Sequence, residues 1–448
     1  MRDVKEELER LREKLRRMER SLDSAPPRAR ENPRQDTPPW DASHSEDLFE
    51  SSLERQSHDG GPSHHLQLSE EIDQSISGRF VNTPKGRHFE SETLFRFGEN
   101  HGQFALAELS QVPAALLQPL CQEHRGEAIE RWAFLDTETT GLAGGAGTFA
   151  FLIGLGFVTA EGFLVRQYFL REPSEEHSVL YRLAEDLREF STLITYNGRG
   201  YDAPLLETRY RLAREPVPFE AMPHLDLLHA CRRLWKLRFD SCKLTYLEER
   251  ILGHERVGDV PGFLIPSLYV NYLRTRDARS LVPVFTHNAL DILSLACLTS
   301  VVGSVFGDPT QYRFRHGTEC IGLGRWLLQA GRKDEALHLF RGAINGNIPE
   351  ELLARTLWDI FQIERQSQRF EAAREPLEQI IGFPNAHHAK AMEALSILFE
   401  HRLKDLSRAI HFARRLEELQ PGEKSGLRLE RLVKKLEKGR RGRIFESP

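Results

Sequence analysis

Asp136 and Glu138 close an apolar run, Trp132-Ala133-Phe134-Leu135, and are followed directly by Thr139-Thr140-Gly141-Leu142. On a β-strand, residues i and i+2 face the same side, so the two carboxylates point together. Like charges held that close repel unless a cation lies between them, and hard divalent ions such as Mg2+ or Mn2+ take oxygen ligands. The bland alternative is a pair of solvated acids at a strand exit. The turn that follows the acids makes this the weaker of the two readings.

Two further segments carry acids suited to the same chemistry. In Tyr196-Asn197-Gly198-Arg199-Gly200-Tyr201-Asp202-Ala203-Pro204, a strand enters a glycine-rich turn and a helix opens at Asp202. Pro204 suits a first helical turn, where its missing N–H costs little. A carboxylate at that point also meets the positive end of the helix dipole, so capping alone would account for Asp202. In His287-Asn288-Ala289-Leu290-Asp291, the His and the Asp are four apart and share a helix face. Alone, that pair reads equally well as an ordinary surface contact.

The three segments in this order resemble the DEDD exonucleases. More closely, residues 130–300 resemble the YprB-like ribonuclease H-like domain, a bacterial family. Its pieces stand here as Phe151-Leu152-Ile153-Gly154-Leu155-Gly156, His224-Leu225-Asp226-Leu227-Leu228, Arg232-Arg233-Leu234-Trp235 and His287-Asn288. The resemblance implies a sheet whose first strands are antiparallel and whose acids meet at one edge. It also implies that Asp136, Glu138, Asp202 and Asp291 are carboxylate ligands of two Mg2+ or Mn2+ ions. His287 then stands where such enzymes orient or deprotonate the attacking water, a task suited to a near-neutral pKa. The His287–Asp291 spacing is that of the family's tyrosine subtype, so the general-base role stays open. Two ions roughly 4 Å apart support in-line attack on phosphorus. Thr139, Thr140 and Gly141, with Asn197 and Tyr201, would contact the substrate, although a plain turn accounts for the first three equally well.

Other stretches are weaker candidates. The glycine-rich run from Gly141 to Thr148 lacks the Lys of a phosphate loop and leads into an apolar strand-like segment. Asp226 precedes a helix and reads as a cap or an outer support of the acids. Arg232, Arg233, Lys236, Arg238 and Lys243 surround Trp235, which suits phosphate tracking with base stacking or a solvated helix face over a buried Trp. The basic tail Lys434, Lys435, Lys438, Arg440, Arg441, Arg443 reads as a solvated end.

These residues need elements to hold them. Strand-like runs at Trp132–Leu135, Phe149–Phe157 and Phe163–Leu170, then a helix near 176–190, a strand at Leu193–Tyr196 and further helices, predict a mixed α/β sheet flanked by helices over 131–305. Residues 315–440 read as tetratricopeptide-like helical repeats: Gly324, Gly331, Ala336, Phe340 and Ala343 are followed by Ala373 and Ala409 at intervals of 37 and 36 residues, and Pro421 ends the last unit. Upstream, Val4, Leu8, Leu11, Leu15, Met18 and Leu22 form an apolar seam over 1–23 that suits a coiled coil or an amphipathic docking helix. A disordered linker is expected over 24–65 and a small extension packed on the nuclease domain over 66–130.

The chain has 448 residues and a net charge of −5, which excludes a uniformly basic surface but not a local basic track. Its five scattered cysteines read as reduced thiols. With no signal segment and no membrane-length apolar stretch seen, a cytoplasmic address is expected. The leading expectation is a metal-dependent nuclease, a 3′-to-5′ exonuclease on DNA or RNA that is single-stranded or has a free 3′ end. The repeats and the N-terminal helix would serve a protein partner or position substrate. An inactive ribonuclease H-like scaffold and a structure-selective endonuclease are the alternatives.

Overall fold

The computed structural model describes residues 72–444, except 119, 122, 142–146, 311 and 313. The expected N-terminal seam and the linker lie outside the described residues. The described chain divides into two compact units, one of residues 72–112, 127–225 and 252–297, the other of 113–126, 226–251 and 298–444.

The first unit is built on a seven-stranded sheet of order β1-β2-β7-β6-β5-β8-β9. The strands are β1 (Arg79–Thr83), β2 (Gly86–Arg96), β5 (Trp132–Thr139), β6 (Ala150–Val158), β7 (Gly162–Phe169), β8 (Thr192–Thr195) and β9 (His224–Asp226), while β3 (Asn100–His101) and β4 (Phe104–Ala105) form a separate hairpin. Sequence alternation and apolar runs set the order. In β6, Ala-Phe-Leu-Ile-Gly-Leu-Gly-Phe-Val is buried almost throughout, as a strand covered on both faces must be, and it lies between β7 and β5. By contrast, β1 (Arg-Phe-Val-Asn-Thr) has no fully buried residue and lies at the edge. Short connections make β5, β6 and β7 antiparallel, as expected, whereas β8 pairs parallel with β5 after a helical crossover. The segment read as a packed extension does more than pack, since β2 hydrogen-bonds along β7 from Phe89↔Phe169 to Arg96↔Gly162.

Helix α1 (Glu176–Leu187) buries Val179, Leu180, Leu183 and Leu187, one apolar stripe of helical period. Next come α2 (Asp202–Leu212) and then α3 (Leu227–Trp235), which belongs to the second unit. Helix α4 (Ile265–Thr275) covers β6, where Phe151 stacks on Tyr269 with ring centroids 4.0 Å apart. Such an aromatic pair contributes about 0.5–1.5 kcal/mol beyond its buried area. Helix α5 (Val282–Gly307) is apolar around much of its circumference, and 78% of its most apolar window is buried, the property of a core helix. The boundary between the units falls inside it, between Cys297 and Leu298.

The second unit is helical, with α6 (Gly317–Gln329), α7 (Lys333–Ile344), α8 (Glu350–Gln366), α9 (Phe370–Ile380), α10 (His388–His401), α11 (Leu406–Leu419) and α12 (Glu423–Ile444). Small residues let these helices approach. A Cβ on Gly324 would meet the Phe340 ring at 2.5 Å, and Ala336, Ala343, Ala373 and Ala409 are all buried. Buried acids are matched by bases: Arg341 reaches Glu364 at 2.5 Å, and Arg431 and Lys435 reach Glu400 at 2.6 and 3.1 Å. Trp235 is 1% exposed, so this side chain does not offer a stacking face to a base. Among its basic neighbours, Arg238 is paired with Glu319 at 2.5 Å.

Candidate active site

The end of β5 is held beside α5 by glycines. Gly154 lies opposite Asp136 on β6, and a Cβ there would meet Asn288 Oδ1 at 2.3 Å and Ile292 Cδ1 at 2.2 Å. Gly156, two residues on and on the same face, leaves room for Ile292 Cγ2, which a Cβ would meet at 2.3 Å. The Gly-Leu-Gly of β6 is therefore the slot into which α5 settles, and that seating brings His287, Asn288 and Asp291 to the strand end. The pairing of β5 with β6 shifts register between Glu138 and Thr139, a bulge that re-aims the strand after the second acid.

Asp136, Asp202 and Asp291 each have a donor that fixes them. Asn288 Nδ2 donates to Asp136 Oδ2 at 2.8 Å, while Asn288 Oδ1 accepts from Gln167 Nε2 at 2.9 Å. The second bond sets which way the buried amide faces. Thr137 Oγ1 donates to Asp202 Oδ1 at 2.5 Å, tying the first residue of α2 to β5. Arg256 Nη2 donates to Asp291 Oδ1 at 2.5 Å. The His287 ring bridges the group: Nδ1 lies 2.8 Å from Asp259 Oδ1, and Nε2 lies 3.5 Å from Asp291 Oδ2 and 4.0 Å from Glu138 Oε1.

Electrostatics follow from crowding acids in a recess. Burial, reinforced by Asp291, Asp202 and Glu138, raises the Asp136 carboxyl well above its ordinary range. Burial also lifts Glu138 to about 8 from 4.5, against the pull of His287 and with the push of Asp291, Asp202 and Asp259. Burial alone would lower His287, but the Asp259 hydrogen bond and the charges of Asp291 and Glu138 prevail and raise it to about 8. Asp259 resists burial and is lowered by His287 and Arg256. An oxygen-only donor set whose members repel one another fits a hard divalent cation. Asp136, Glu138, Asp202 and Asp291 are the residues that would hold it.

Thr139 Oγ1 donates to Gly141 O at 2.9 Å and Thr140 Oγ1 accepts from Phe149 N at 3.0 Å, so both hydroxyls close the turn behind the acids. Asn197 adopts φ 65°, a left-handed conformation that Asn tolerates, and starts the turn into α2. Tyr201 precedes α2 and is 61% exposed, an open ring at the helix mouth beside Asp202. Asp226 caps α3, its side chain accepting from Leu228 N at 3.1 Å. Arg256 and Asp259 escaped the sequence reading. They lie in the irregular stretch between Gly253 and Pro261, where no periodicity marks them. Asn288 was visible in a motif but carried no assigned role.

Residues 133–302 match the profile described as the RNase H superfamily. The chain is also similar to "Uncharacterized protein YprB" of Bacillus subtilis (strain 168), 29% identical over 330 residues, 72% of this chain and 78% of that protein. The matched span includes every acid of the site and the strands and helices that carry them. With its mixed sheet, antiparallel β5–β6–β7 core and covering helices, the segment 133–302 is an RNase H superfamily domain, a fold associated with nuclease-type hydrolysis.

Proposed function

We propose that the chain is a metal-dependent nuclease that hydrolyses phosphodiester bonds at Asp136, Glu138, Asp202 and Asp291. The observation that carries this reading is the meeting of acids from β5, α2 and α5 in one recess, where burial and then the neighbouring acids drive Asp136 and Glu138 toward protonation. Ionising two buried acids side by side is costly without a cation to share their charge. Mg2+ or Mn2+ bound there would supply Lewis-acid charge and a more acidic water. The chain's own residues do the rest. Asn288 and Thr137 fix the orientation of two acids. His287, directed by Asp259, presents Nε2 between Glu138 and Asp291, where it can hold or accept a proton.

The four carboxylates offer oxygens for two ions, the number the resemblance implies. Exonucleolytic action from a 3′ end on single-stranded DNA or RNA is supported by the same resemblance and by the open Tyr201 ring, which suits a terminal base. The test compares linear, end-blocked and circular strands with Mg2+ or Mn2+. Mononucleotide release from linear substrates alone supports this reading. Cutting of circles supports the structure-selective endonuclease instead.

A second reading, a scaffold without turnover, draws on the repeat helices. There α8 and α10 line a cleft of about 950 Å³ bordered by Trp358, Phe361, Arg365, Lys390 and Arg402, a surface suited to a protein partner or a substrate strand. Binding of a partner or an oligonucleotide, with no cleavage under either metal, would favour it.

A further inference from the structure

Asp291 is supplied with countercharge from two sides. Its Oδ1 takes Arg256 at 2.5 Å and its Oδ2 faces His287 Nε2 at 3.5 Å. Arg256 also reaches Asp259 Oδ2 at 3.4 Å, and its side chain is only 6% exposed. A guanidinium this buried is held only because acids flank it, and its planar fork fixes its position better than a lysine would. Asp136 and Glu138 are served differently. Asp136 is bonded by the neutral amide of Asn288, and the cationic contact nearest Glu138 among the described residues is His287 at 4.0 Å. Among the described residues, no arginine or lysine pairs with either acid at the end of β5.

We propose that Arg256 is the resident cation on the Asp291 side of the site, so that the substrate-free chain binds one divalent ion, at Asp136 and Glu138, rather than two. This rests on the nuclease reading above and concerns how that site is charged before substrate arrives. A second ion must first take Asp291 Oδ1 from a buried, doubly paired guanidinium. A phosphate is the natural competitor for that fork, because its oxygens match the same paired N–H geometry.

The test is Mn2+ stoichiometry on the full chain without nucleic acid, by electron paramagnetic resonance and by calorimetric titration. Wild type is expected to take one ion per chain, Arg256→Gln two, and Arg256→Lys, which keeps the charge, one. Asp291→Asn should retain the single ion, whereas Asp136→Asn should lose it. Two ions in wild type, or one in a folded Arg256→Gln chain, would overturn the inference and leave the nuclease site standing. No Mn2+ bound by wild type would overturn both. Should Arg256→Gln fail to fold, the wild-type count and the Asp291→Asn titration still decide the matter.

Discussion

Replacing Glu138 with glutamine should stabilise the metal-free protein at pH 8 and change it little at pH 5. Glu138 titrates near 8 in the folded chain, against 4.5 as its ordinary value. Between those limits the folded state keeps a proton that the unfolded chain has released, so stability falls as pH rises, by about 1.4 kcal/mol per unit. The three units from pH 5 to pH 8 set a ceiling of about 4 kcal/mol on this loss, which glutamine, unable to ionise, does not suffer. His287 acts in the same direction: lifted from 6.5 to about 8, it contributes stability that is complete below 6.5 and is lost as pH climbs through 8. Denaturation in EDTA, read by hydrogen exchange in β5 and β6, isolates this unit from the helical one. At roughly 2–4 °C per kcal/mol for a unit of this size, the variant should gain several degrees in thermal midpoint at pH 8. It should also lose the stabilisation that Mn2+ gives wild type. If Glu138→Gln were no more stable than wild type at pH 8, the reasoning about a crowded, uncompensated carboxylate would fail.

Other consequences are smaller in scope. Gly154→Ala drives a methyl into Asn288 and Ile292, contacts of 2.3 and 2.2 Å, and should cost about 1–3 kcal/mol in thermal unfolding while weakening Mn2+ binding. Asn288→Ala removes the bond that orients Asp136 and should raise the Mn2+ dissociation constant by about 10- to 100-fold in titration, the usual effect of losing a residue that supports a ligand. In the helical unit, Glu400 is lowered to about 2 by Arg431, against burial, with help from Lys435. Its contribution to stability is present above 4.5 and is lost as pH falls through about 2. Glu400→Gln should therefore flatten the acid limb of the helical unit's unfolding curve and leave Mn2+ binding unchanged.

Much of the frame was legible because period and composition encode it. The apolar run ending in Asp136 and Glu138 could hardly be other than a strand leaving the core, and the unbroken apolar β6 belonged at the sheet's centre. Asp202 and Asp291 were legible as candidates because a turn and a helix period fixed where each stood. Arg256 and Asp259 were not, since they sit on an irregular stretch and act through contacts 35 and 28 residues away, to Asp291 and His287. The division between the units was hidden for a related reason: α5 runs through it without a cap, a glycine or a change in apolar character. Edge strand β1 and its neighbour β2 escaped because neither alternates between buried and exposed positions strongly enough to stand out from a loop.

The acids of β5, α2 and α5 are proposed to work together on metal-assisted phosphodiester cleavage. The direct measurement is digestion of end-labelled DNA and RNA strands by the purified full chain with Mg2+, with Mn2+ and with EDTA, beside a folded Asp136→Asn variant. Cleavage by wild type that requires the metal and disappears in the variant is the predicted result. Equal cleavage by both proteins, or cleavage undiminished by EDTA, would contradict it.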